Sequence, residues 1–144
     1  LLKLESILAK VSLGPAVGHI FLENIDDIDR AIRVLKKNKK LKVYKKDDLP
    51  LKLGIHETRS GDIVVTTPAP NMLVSRNNSN LPKGMHGYDP AVNKEMNGIF
   101  YAYGYGVTNK SIDTVHQLDI APTIANLLRM QVPDYIEGHI INLN

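Results

Sequence analysis

The stretch Gly18-His-Ile-Phe-Leu-Glu-Asn-Ile-Asp-Asp-Ile-Asp-Arg-Ala-Ile-Arg-Val-Leu-Lys-Lys-Asn-Lys-Lys-Leu-Lys-Val-Tyr-Lys45 decides the fold class. Its opening, Gly18 to Glu23, reads as a short strand. Asp26 to Lys39 then reads as a helix, because Ile28, Ala31, Ile32 and Leu35 recur at helical spacing and would form one buried face. Leu41 to Lys45 alternates apolar and polar residues and reads as a second strand. Strand, helix and strand in succession predict an α/β chain built in layers.

On the N-terminal side, Leu1, Leu4, Ile7, Leu8 and Val11 have helical spacing, so Leu1 to Leu13 reads as a helix that Gly14-Pro15 ends. On the C-terminal side, Asp47-Asp48-Leu49-Pro50 reads as a turn or short helix start. Asp62 to Thr67 is β-branched and reads as a buried strand, and Asn71 to Ser75 as one more. Asn77 to Pro90 is rich in Gly, Pro and Asn and reads as a loop. Gly98 to Tyr103 reads as a strand closed by the Gly104-Tyr105-Gly106 turn. Asp119 to Met130 reads as a helix, with Pro122 near its start, Pro133 beyond its end, and Ile120, Ile124, Leu127 and Leu128 as its apolar face. No internal repeat or linker divides the chain.

Composition narrows the classes of function. The 144 residues are 43% hydrophobic and 23% charged, as in an ordinary globular chain. The absence of Cys excludes a disulfide scaffold, a thiolate zinc site and a cysteine nucleophile. No apolar run reaches the ~18 residues of a membrane helix. The first residue is Leu rather than Met, which reads as a truncation.

The net charge of +3 is concentrated in one place. Nine basic residues and no acidic one lie between Arg30 and Lys46, flanked by Asp26, Asp27 and Asp29 on one side and by Asp47 and Asp48 on the other. Such a stripe attracts phosphate backbones, so a nucleic-acid-binding module is one reading. The favoured reading is a solvated helix, since acids in a first turn and lysines in a last turn complement the helix dipole. No aromatic residue interleaves from Arg30 to Leu41 to stack on bases. Asp26 and Asp27 are read as capping groups.

Five histidines are the candidate metal ligands. His19, His56, His116 and His139 have no chemical partner close in sequence and read as structural. His86 differs. Gly84 and Gly87 flank it and Tyr88-Asp89 follows, so its imidazole sits on a loop whose glycines allow unusual backbone angles. A metal ligand and a plain turn are both compatible with that pattern. A catalytic zinc needs at least about three protein ligands, and no His-x-x-x-His, Asp-His or Asp-x-x-x-His spacing occurs. A phosphate-binding Gly-x-x-x-x-Gly-Lys loop and a Gly-x-Ser-x-Gly nucleophile elbow are likewise absent. The residues alone therefore spell part of a site.

The order of the motifs carries a resemblance. Gly14-Pro15-Ala16, Leu41-Lys-Val-Tyr-Lys-Lys-Asp-Asp-Leu-Pro50, Arg59-Ser-Gly-Asp-Ile-Val-Val65, Gly84-Met-His-Gly-Tyr-Asp89, Met96 with Ile99-Phe-Tyr-Ala-Tyr-Gly104, and Asp119-Ile-Ala-Pro-Thr-Ile-Ala-Asn-Leu-Leu128 follow one another. With Pro133 and Gly138 they resemble the C-terminal part of a type I phosphodiesterase/nucleotide pyrophosphatase catalytic domain. This group includes the ectonucleotide pyrophosphatase/phosphodiesterases of the alkaline phosphatase superfamily. The resemblance implies an alkaline-phosphatase-like three-layer sandwich around a mixed, mostly parallel sheet, with residues 1–144 as the C-terminal portion of one catalytic domain. It implies two zinc ions as cofactors, with His86 as one metal ligand and Asp89 as a residue that supports the ligand or fixes its loop. The nucleophile, a Thr or Ser, and the remaining ligands are expected upstream of this chain. The implied substrate is a nucleotide or another phosphodiester small molecule, and the implied partner is the N-terminal part of the same domain. The implied location is outside the cytoplasm. Three departures are a Pro at 90 where the family often has Asn, Gly104-Tyr105 where a Gly-Pro is usual, and the lack of Cys. A sulfatase, phosphonate hydrolase or phosphoethanolamine transferase of the same superfamily is the alternative.

Overall fold

The computed structural model describes residues 7, 9–56, 58–74 and 82–144. They divide into two compact units, Leu1–Asn97 and Gly98–Asn144.

The first unit contains a four-stranded sheet in the order β1-β2-β4-β3, with β1 at Ala9–Leu13, β2 at Val17–Leu22, β3 at Lys42–Lys45 and β4 at Ile63–Thr66. Helix α1, Ile28–Leu35, connects β2 to β3. The centre of the sheet follows from composition. Ile63, Val64 and Val65 are all fully buried, so β4 has no solvent face and takes a strand on either side. Its neighbours are β2, in the register Ile20 to Ile63, and β3, in the register Val43 to Val65. Both edges carry polar residues, Lys10 and Ser12 on β1 and Lys42 and Lys45 on β3, while Val11 and Leu13 of β1 are exposed as well.

The helix lays Ala31, Ile32 and Leu35 on the sheet face that carries Ile20, Ile63 and Val65, and Ile7 completes this core. The spacing that predicts α1 is therefore the spacing that buries it. The helix is shorter than Asp26 to Lys39, because Ile25–Asp27 is a 3-10 turn and the chain leaves the helix after Leu35. Its lead-in is capped by Asn24, whose side chain accepts from the Asp26 amide at 3.0 Å. Asp27 makes no capping bond and instead lies 3.9 Å from Arg30. The capping role read onto Asp26 and Asp27 belongs to Asn24.

The mixed helix and strand content bears out an α/β chain, but the sheet corrects the finer expectation of a mostly parallel, alkaline-phosphatase-like arrangement. Every pairing among the described residues is antiparallel. The reason lies in β4. Strands β2 and β3 both run opposite to it, hence parallel to each other as a strand–helix–strand unit expects, but β4 inserts between them. Residues 9–13, read as part of a helix, form a hairpin with β2 across Gly14-Pro15-Ala16. Ala9, Val11 and Leu13 alternate, and cross-strand pairing with Leu22, Ile20 and Gly18 wins over the helical period. Residues 1–6 and 8 of that expected helix lie outside the described residues. Residues 71–74 are not a further strand; the Leu73 amide donates to the Pro15 carbonyl at 2.8 Å, and Ser75 lies outside the described residues, as do residues 77–81 of the expected loop.

The second unit holds helix α2, Ile120–Leu127, entered through a 3-10 turn at Gln117–Asp119. His116 Nδ1 accepts from the Leu118 amide and Asp119 Oδ2 accepts from the His116 amide at 3.0 Å, a reciprocal cap. Asp119 Oδ1 also accepts from the His139 amide at 2.9 Å, and buried Thr123 accepts from the Ile141 amide at 2.9 Å. Gly138 is required there, since a Cβ would collide with the Leu118 carbonyl. The expected apolar face of α2 is largely bare: Ile124, Leu127 and Leu128 are all exposed. Pro122 and Thr123 are the buried positions. Residues 98–103 form no strand, and none of them makes a backbone hydrogen bond with a described residue. No helix among the described residues is long and apolar enough to cross a membrane.

Candidate functional site

The loop that carries His86 is tied down just after it by hydrogen bonds at Tyr88 and Asp89, and Gly87 sets its backbone turn. Gly87 adopts φ +87°, and a Cβ there would sit 3.9 Å from the Ala16 side chain. That positive φ is open to glycine and strained for other residues. Tyr88 is buried and its hydroxyl donates to the Asn71 carbonyl at 2.7 Å. Asp89 Oδ2 accepts from the Lys52 ammonium at 3.0 Å. Asn71 follows β4 and Lys52 lies in the 3-10 turn Leu51–Leu53, so two separate segments hold residues 88 and 89.

Asp89 also closes the loop on its far side. Its Oδ1 accepts from the Ala91 amide at 3.0 Å, and its carbonyl accepts from the Val92 amide at 3.1 Å and the Asn93 amide at 2.9 Å. With Pro90 following, this is a turn with Asp first and Pro second, the positions those residues favour. The departure at Pro90 therefore sets the exit of the loop. The hydrogen bond from Lys52, and then the one from the Ala91 amide, hold the Asp89 carboxyl below the usual aspartate range, and the charges of Lys52 and Lys42 add to this.

His86 itself is exposed, and its ring makes no hydrogen bond or ion pair with a described residue. An anchored backbone with a free imidazole fits one ligand of a metal. It does not complete a site, for no group of three or more His, Asp or Glu able to hold a metal occurs among the described residues. The structure thus brings Asp89 to Lys52 and brings no further ligand to His86.

The other histidines are engaged in the fold, two through neighbours in sequence and two through distant residues. His19 Nδ1 accepts from the Gly61 amide at 3.3 Å, and His56 Nδ1 from the Thr58 amide at 3.2 Å. His116 caps the turn before α2, while His139 Nδ1 lies 3.9 Å from the Asp119 carboxylate. The basic stripe divides. Lys45 pairs with Asp29 at 2.9 Å, and Lys36, Lys37, Lys39 and Lys40 stand in solvent just beyond α1. Sequence reasoning singled out His86 and Asp89 and missed Lys52 and Asn71, whose partners lie 37 and 17 residues away. No local motif signals such pairings. No family model, curated protein or solved structure matches the chain.

Proposed function

We propose that this chain supplies the C-terminal part of the catalytic domain of a zinc-dependent phosphodiesterase or nucleotide pyrophosphatase, with His86 as one zinc ligand. The observation that carries the reading is the loop Gly84-Met-His-Gly-Tyr-Asp89. Tyr88 and Asp89, just after the histidine, are tied to distant segments, Tyr88 to the Asn71 carbonyl and Asp89 to Lys52, and the imidazole has no partner among the described residues. A plain surface turn has no need of a buried tyrosine and an ion pair reaching 37 residues back along the chain. The described residues do not make a zinc site by themselves, so the nucleophile and the other ligands belong to an upstream part of the same domain. Bound zinc would supply Lewis-acid polarisation of a phosphoryl oxygen. The part of this chain is to present an imidazole in a fixed direction. In this reading the antiparallel sheet of residues 9–66 is not the central sheet of the layered domain. Residues 98–103, without backbone partners among the described residues, are the strand that enters it.

The test uses the full-length protein. It is expected to hydrolyse a p-nitrophenyl phosphodiester in a zinc-dependent way, and His86→Ala is expected to abolish most of that turnover. The 144 residues alone are expected to be inactive. Hydrolysis by the 144 residues alone, or a fully active His86→Ala protein, would refute the proposal.

A further inference from the structure

We propose that Lys52 is a positioning residue for His86: through Asp89, its ammonium fixes the direction in which the loop presents the imidazole. This inference rests on the reading of His86 as a metal ligand. A loop tied at one residue still turns about that tie, and a second tie from another direction restricts the turning. Tyr88 on the Asn71 carbonyl is the first tie. Lys52 on Asp89 is the second, from a different segment. Both Asp89 oxygens are committed, Oδ2 to Lys52 and Oδ1 to the Ala91 amide, so the carboxylate cannot rotate without losing a partner.

The pair is not a stability device. Lys52 is 65% exposed and Asp89 32%, and exposed ion pairs contribute little to folding. The turn that carries Lys52 is itself marginal, with Leu51 almost fully in water and Gly54 closing it at φ +57°. What the pair fixes is local geometry, to which metal affinity is sensitive. Losing a residue that orients a ligand costs about 10- to 100-fold in affinity, and an exposed pair belongs at the lower end.

The experiment compares Lys52→Met, Lys52→Arg, Asp89→Asn, the Lys52→Met/Asp89→Asn double variant and His86→Ala in the full-length protein. Zinc affinity is measured by chelator competition, and amide exchange at Ala91, Val92 and Asn93 is measured in the metal-free protein. Lys52→Met is expected to weaken zinc binding about 10-fold and to speed exchange at Ala91, Val92 and Asn93. Lys52→Arg restores both, and Asp89→Asn matches Lys52→Met, with the double variant no worse than either. Unchanged zinc affinity in Lys52→Met, beside a loss in His86→Ala, overturns the role of Lys52 alone. A loss that Arg does not rescue, or single losses that add in the double variant, overturns the ion-pair route. Unchanged zinc affinity in His86→Ala overturns the metal-ligand reading itself.

Discussion

Two apolar stretches with the same strand signal end up differently. Ile63, Val64 and Val65 are fully buried between β2 and β3. Ile99, Tyr101 and Tyr103, in a stretch that also reads as a strand, are 99%, 82% and 90% exposed and have no ladder among the described residues. β-propensity describes a residue that fits a pleated, half-covered surface, and it creates a strand only where another strand pairs with it. The first stretch has its partners within the described residues. For the second, the proposed function places the partner in the upstream part of the domain. The contrast separates what a sequence predicts about a segment from what the rest of the chain provides for it.

The sharpest way to break that contrast is to make the same substitution in both stretches. Ile63→Ala leaves a cavity in a closed core and is expected to cost about 2–5 kcal/mol. Ile99→Ala removes a side chain already in water and is expected to change stability by less than about 0.5 kcal/mol. Urea unfolding of the 144-residue chain measures both, and equal losses would show that residue 99 is packed. A smaller effect is expected at Gly138, where a methyl group meets the Leu118 carbonyl and the Asp119 amide. Gly138→Ala should cost about 1–3 kcal/mol and loosen α2, visible as faster amide exchange there, whereas Gly98→Ala has open space around it and should be silent.

Arg129 tests the second unit in the opposite sense. It closes α2 at φ +55° while the Met130 amide donates to the Ala125 carbonyl at 2.8 Å, a helix end that favours glycine. Arg129→Gly relieves a left-handed cost of about 1–2 kcal/mol for an L-residue, partly offset by the entropy of glycine, and is expected to raise the melting temperature. The smallest effect is that of acid. The amides of His139 and then His116 hold the Asp119 carboxyl below the usual range, as Lys52 and Ala91 do for Asp89. A carboxyl with a depressed folded pKa stabilises above its unfolded value and loses that contribution as pH falls through the lowered one. Both ties are therefore expected to hold at neutral pH and to weaken below about pH 4, seen as a loss of protection, relative to the intrinsic exchange rate at each pH, at the Ala91 and His139 amides. Unchanged protection at pH 3 would contradict this.

What the sequence made legible follows the range of each interaction. The core face of α1 was readable because Ile28, Ala31, Ile32 and Leu35 mark a period within one helix. The burial of β4 was readable from Ile63-Val-Val65. Sheet direction was not, because strand–helix–strand fixes β2 and β3 as parallel without saying that β4 slips between them. Residues 9–13 satisfied two periods at once, and pairing decided between them. In α2, Ile124, Leu127 and Leu128 gave a correct helical period, yet a period predicts a face and cannot supply its cover. At the candidate site, the glycines marked His86 locally. Lys52 and Asn71 became visible only when the fold brought distant segments to residues 87–89.

The central claim is that His86 is a zinc ligand, and the most direct measurement is the zinc content of the full-length protein with and without it. His86→Ala is expected to lose one of two bound zinc ions, while His56→Ala, whose ring caps a local turn, retains both. Equal zinc content in the wild type and His86→Ala would contradict the account.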